Sequence, residues 1–173
     1  IDMNAKKDSI TAPVTYMWWA HTVIESAAMA MVANEKQFFG MSESWHSANP
    51  GESLFVCKSA LADAQLSVRE RFEAGLSGRA TSRAITWAMD QLIRSMFGFA
   101  VRHVYPTSNP TAGERLSVIA VGGYGRGEMA PYSDVDLLFL FPYRQTPWGE
   151  QVVEYLLYML WDLGLKVGNA TRS

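Results

Sequence analysis

One cysteine in 173 residues, Cys57, excludes an internal disulfide and the stapled scaffolds of small secreted domains. Its apolar setting, Phe55-Val56-Cys57-Lys58, points to a packed thiol rather than a nucleophile, and a reducing compartment suits such a chain. Histidine is scarce too: His21, His46 and His103 are too far apart to show zinc-site spacing. Neither sign of charge dominates, and a formal net charge of −2 gives no general electrostatic reason to expect DNA or RNA. Long apolar runs are also missing. The most membrane-like stretch, residues 12–33, is interrupted by His21 and Glu25, short of the run of about 18 apolar residues a spanning helix needs. The same two breaks spoil a signal-peptide core after Lys6 and Lys7. Internal repeats and low-complexity tracts are absent.

What remains is 49% hydrophobic and 18% charged, enough apolar material for a core and too much for global disorder. Residues 12–39 have a helix-compatible composition, and a break follows through residues 42–53 with Asn49-Pro50-Gly51. Leu54, Cys57, Leu61, Ala64, Val68 and Phe72 recur at helical spacing and predict a helix over 54–76. A second helix is expected over 81–97, capped by Thr81 or Ser82 and ended with help from Gly98. Arg69, Arg71, Arg79, Arg83, Arg94 and Arg102 gather in the middle of the chain and, spread along helix faces, read as a solvated helix surface. Past a turn-rich stretch at 105–113, short strands are expected at 116–121 and 133–141, with one helical turn at 127–130 between them. A helix opened by Pro147 and stopped by Gly164 follows, and a further strand begins near Lys166.

The most informative segment joins the two strands. Gly122-Gly123 is followed, after ten residues, by Asp134-Val135-Asp136 at the head of an apolar strand. Strand side chains alternate faces, so Asp134 and Asp136 point one way while Val135 and Leu137 enter the opposite layer. Paired carboxylates at so apolar a strand are costly unless solvent or a cation meets them. Oxygen ligands at this spacing suit Mg²⁺, which takes one or two carboxylates plus substrate phosphates. The glycine turn can offer backbone N–H groups to those phosphates, giving a metal-nucleotide site. Two other readings fail. From Gly123 and Gly125 the third glycine of a dinucleotide fingerprint falls on Glu128. In a calcium loop the next ligand position falls on Leu138.

Gly-Gly, ten residues, then Asp-apolar-Asp-apolar resembles the signature of the DNA polymerase beta-like nucleotidyltransferase superfamily. The longer string Val121-Gly-Gly-Tyr-Gly-Arg-Gly-Glu-Met-Ala-Pro-Tyr-Ser-Asp-Val-Asp-Leu-Leu138 resembles the N-terminal nucleotidyltransferase domain of the bacterial PII uridylyltransferase/uridylyl-removing enzymes. Tyr155-Leu-Leu-Tyr-Met-Leu-Trp-Asp-Leu-Gly-Leu-Lys-Val-Gly168 supports the same family.

That resemblance implies an α/β (α+β) fold, a small mixed sheet flanked by helices and preceded by a helical region. It divides the chain into an extension (1–53), a helical pair (54–110) and a nucleotidyltransferase core (111–173). It implies uridylyl transfer from UTP to a tyrosine of the PII nitrogen-regulatory protein, releasing pyrophosphate, in a cytoplasmic enzyme acting on neither nucleic acid nor membrane. Asp134 and Asp136 would hold two Mg²⁺ ions, and Gly122 and Gly123 would let the backbone approach the triphosphate. Ser133 would steady the carboxylates or touch phosphate. Arg126 would add charge to the triphosphate or pair with Glu128, and Tyr124 would pack. The family's third carboxylate has no clear counterpart and is expected beyond Ser173, in a chain that reads as a fragment. Adenylyl or other nucleotidyl transfer, and a non-catalytic nucleotide-binding module, are the alternative readings.

Overall fold

A computed structural model describes residues 50–108 and 111–173. The readings made above for residues 1–49 lie outside the described residues. Helix α1 (Pro50–Glu73) starts at Pro50, whose fixed φ suits a first turn, so the expected break at 42–53 yields to helix at its end. It docks chiefly through its first turns. Ser53 and Cys57 are fully buried, whereas Phe72, assigned to the apolar face from its spacing, is exposed.

Helix α2 (Gly78–Phe99) starts three residues earlier than expected and is capped by Ser77, whose hydroxyl accepts from the Ala80 amide. Gly98 does not end it. The helix continues into a π-helical turn (Ala100–Val104), and the Arg102 guanidinium lies where a Gly98 Cβ would be. The Arg102 Nε donates to the Gly98 carbonyl at 3.0 Å, so the glycine makes room for a returning side chain.

The sheet is small and mixed, as expected. Strand β1 (Ser117–Ala120) pairs antiparallel with β2 (Val135–Leu140), with Val118 opposite Phe139 and Ala120 opposite Leu137. Strand β3 (Val167–Arg172) lies parallel to β2 on its other side, with Asp136 opposite Gly168. The parallel return requires a crossover. Helix α4 (Pro147–Asp162) supplies it, with Thr146 accepting from the Gly149 amide and Pro147 in its first turn.

Alternation along β2 sorts the layers. Val135, Leu137 and Phe139 are buried against the helices, while Asp136 and Leu138 on the other face are only half-buried. One apolar cluster runs from Cys57 of α1 through Leu92, Ile93 and Met96 of α2 to Phe139 of β2 and Val152, Leu156 and Leu160 of α4. Gly149 presses on the Phe141 ring, and the Trp148 indole donates to the Tyr105 carbonyl at 2.9 Å, tying α4 to the end of the π-turn. Truncating a buried aromatic such as Phe139 to Ala would cost about 3–5 kcal/mol.

Candidate active site

The glycine turn lies between β1 and β2, and it is itself the short helix α3 (Gly122–Gly125). The helical turn expected at 127–130 is not formed: Gly127 adopts φ +71 and ends the turn, and the Glu128 amide closes back on the Gly123 carbonyl at 3.0 Å. The Gly125 amide donates to the Val121 carbonyl at 2.8 Å, and no side chain caps α3 at its start.

Asp136 is the best-held of the expected site residues. The Val121 amide donates to its carbonyl at 3.0 Å, which binds the glycine turn to the carboxylate's own strand. Gly122 has φ +60, a conformation glycine adopts freely, and a Cβ there would stand 2.5 Å from Asp136 Oδ2. On the opposite side a Cβ at Gly168 would overlap Asp136 Oδ1. The carboxylate is thus cradled between two glycines, one from α3 and one from β3. Asp134, just before β2, is exposed on the same alternation as Asp136.

Ser133 carries a buried hydroxyl with no hydrogen-bond partner among the described residues. Tyr132, immediately before it, is 97% exposed and holds φ 65, an uncommon conformation for a side chain of its size. Arg126 Nε meets Glu128 Oε2 at 3.1 Å with both side chains exposed, the ion-pair alternative read from the sequence. Exposed pairs of this kind are worth little and exchange readily. The Arg126 guanidinium also reaches back to within 3.9 Å of a Gly123 Cβ position.

Tyr124 is buried, and its hydroxyl donates to Asp90 Oδ1 of α2 at 2.7 Å. The Met129 amide donates to Thr86 Oγ1 of the same helix at 3.4 Å. Helix α2 therefore pins both the middle and the exit of the loop. Burial pushes the Asp90 carboxyl above its ordinary range, while the Tyr124 hydroxyl and the Arg94 charge pull it back. Sequence reasoning passed over Asp90 because nothing local links it to a tyrosine 34 residues on.

The donor set fits a divalent cation. Two carboxylates on one strand face, a bare backbone beside one of them and an orphaned hydroxyl suit an oxygen-seeking ion sharing its shell with phosphates and water. Among the described residues no third acid gathers with them. Glu150, Glu154 and Asp162 are exposed on α4. Cys57 is fully buried and burial pushes its thiol up to about 12, so it offers no nucleophile.

Residues 109–168 match the nucleotidyltransferase domain family, and this segment of the chain is a nucleotidyltransferase domain. The chain is similar to the bifunctional uridylyltransferase/uridylyl-removing enzyme of Rhodospirillum rubrum, at 60% identity over 121 residues, covering 69% of this chain and 13% of the relative. It is also similar to proteins of the same name from Azospirillum brasilense and Caulobacter vibrioides. The first is 56% identical over 116 residues (67% of this chain, 12% of the relative) and the second 44% identical over 150 (87% and 15%). The chain thus spans 12–15% of the length of these relatives. No solved structure matches it.

Proposed function

We propose that this chain forms the nucleotide-binding part of a cytoplasmic bacterial enzyme that transfers a uridylyl group from UTP to a tyrosine of the PII nitrogen-regulatory protein. The observation that carries the reading is the Asp136 carboxylate cradled between Gly122 and Gly168 beside the glycine turn. It lies in a domain whose similar proteins are named uridylyltransferases.

Asp134 and Asp136 would hold Mg²⁺, which when bound supplies positive charge against the triphosphate and the departing pyrophosphate. The other roles fall to the chain. Gly122 and Gly123 admit the triphosphate against the backbone, where a side chain would stand in its way. The buried Ser133 hydroxyl can donate to a phosphate oxygen or to a neighbouring carboxylate. Arg126 can trade its exposed partner Glu128 for phosphate.

In the transfer, the tyrosine oxygen bonds to the α-phosphorus as the bond to the α–β bridging oxygen breaks. Pyrophosphate leaves with that electron pair, and the phenolic proton passes to a base or to solvent. Uridylyl removal, the second activity in the relatives' name, is not assigned to these residues.

Calorimetric titration of the 173-residue chain with UTP, with and without Mg²⁺, tests the reading. Binding should require Mg²⁺ and be lost in a folded Asp134→Asn/Asp136→Asn variant. Metal-independent binding, or binding that survives the double substitution, would sink it. Tighter Mg²⁺-dependent binding of ATP than of UTP would move the reading to adenylyl transfer.

A further inference from the structure

Two of the arginines that read as a solvated helix surface are not dispersed. Arg79 and Arg83, from the first two turns of α2, line a groove of about 510 Å³ with Ser82, and its other wall is Arg126, Gly127 and Glu128 of the glycine loop. Arg126 is the member paired with Glu128. Arg79 and Arg83 have no ion pair among the described residues, unlike Arg69, which meets Glu73 at 2.8 Å.

The two unpaired cations also stand at the positive end of a 22-residue helix with no acid in its first turn. Cations are unfavourable there, and an anion in the groove would reverse that balance. The walls are held in place, because Thr86 and Asp90, further along α2, fasten the loop that carries Arg126. Arg126, which lines the groove, also links it to the glycine turn. Arg126 Nη2 comes within 3.9 Å of a Gly123 Cβ position, and Gly123 adjoins Gly122 against Asp136.

We infer that Arg79 and Arg83 take the terminal phosphates of the nucleoside triphosphate, so that the site extends from Asp136 across the glycine turn into this groove. The inference rests on the nucleotidyl-transfer reading of that turn. In it the two guanidiniums bind the phosphates that become pyrophosphate and contribute nothing to the nucleoside or the α-phosphate. Planar donor forks suit such oxygens.

The test is calorimetry on the 173-residue chain with inorganic pyrophosphate, with Mg²⁺-UTP and with UMP. Arg79→Ala/Arg83→Ala is compared with Arg79→Lys/Arg83→Lys and with Asp134→Asn/Asp136→Asn. Neither arginine is in the core, and thermal melts check that each variant folds. The alanine pair should weaken pyrophosphate and UTP by about tenfold or more per arginine, the scale of hydrogen bonds to charged groups. UMP binding should stay within about twofold, and the lysine pair should restore part of the loss.

Unchanged pyrophosphate binding in the alanine pair overturns the inference. So does a wild-type chain that binds no pyrophosphate, or a loss of equal size for UMP. If the aspartate variant loses UTP while the alanine pair keeps it, only the groove assignment falls. If the alanine pair loses pyrophosphate and the aspartate variant keeps Mg²⁺-UTP, the groove stands and the carboxylate reading falls.

Discussion

Gly168→Ala separates the cradle from the fold. A real Cβ keeps at least 3.0 Å from its neighbours, and a methyl at Gly168 would intrude on Asp136 Oδ1 well inside that limit. To reach ordinary contact at 3.4 Å the oxygen must retreat by about 1 Å. Escape the other way is blocked, since Oδ2 already faces Gly122 across the cradle. The carboxyl must therefore leave its rotamer, at a cost of about 0.5–1.5 kcal/mol. Alanine in a strand recovers about 0.5–1 kcal/mol of the backbone entropy that glycine loses on folding. Net stability should change by less than about 1 kcal/mol, within a few degrees of melting temperature for a chain of this size. Mg²⁺-dependent UTP affinity should nevertheless fall about 10–100-fold, the usual consequence of disturbing what orients a metal ligand.

Gly164→Ala is the matched control. It places a methyl in open space but at φ +78, so it should cost about 1 kcal/mol of stability and leave binding unchanged. Calorimetry and thermal melts on the two variants read both quantities. A Gly168→Ala chain that binds Mg²⁺-UTP as wild type does would refute the cradle.

The Asp90–Tyr124 contact should have a pH signature. A carboxyl raised by burial lends stability below its unfolded value of 3.8 and loses it as pH rises through the higher folded value. Urea melts should therefore show wild type losing ground to Asp90→Asn as pH rises from 4 to 7, and the opposite trend would contradict the assignment. Asp90→Ala, which removes an acceptor of the part-buried Tyr124 hydroxyl, should cost about 1–3 kcal/mol at neutral pH. Cys57 should resist iodoacetamide at pH 8 in the native chain and react once urea unfolds it, so rapid native labelling would contradict its burial.

Local pattern was legible where one strand or one helix decides it. Alternation placed Val135 and Leu137 in the core and Asp136 away from it, and Pro147 and Gly164 bracketed α4 because each acts on its own backbone. What escaped depended on partners distant in sequence. Gly168 reads as an ordinary strand glycine until parallel register sets it opposite Asp136. Arg79 and Arg83 looked solvated on their helix, and only the packing of α2 on the loop brings them to Arg126. Gly98 carried a stop signal, but burial and the returning Arg102 side chain outweighed it. Ser77 was passed over as a cap in favour of Thr81 and Ser82, although Gly78 tolerates the first helical position.

The two walls beside Asp136 are separated in time as well as in space. Gly122 lies fourteen residues before the aspartate, while Gly168 lies thirty-two after it, beyond the whole of α4. Closing the longer loop is the slower event, and parallel pairing waits on the crossover helix. A chain emerging from the ribosome therefore shows its carboxylate to water with one wall standing until β3 arrives. Cation affinity at Asp136 would then be acquired when β3 pairs with β2, and it would report that pairing rather than a collapsed chain.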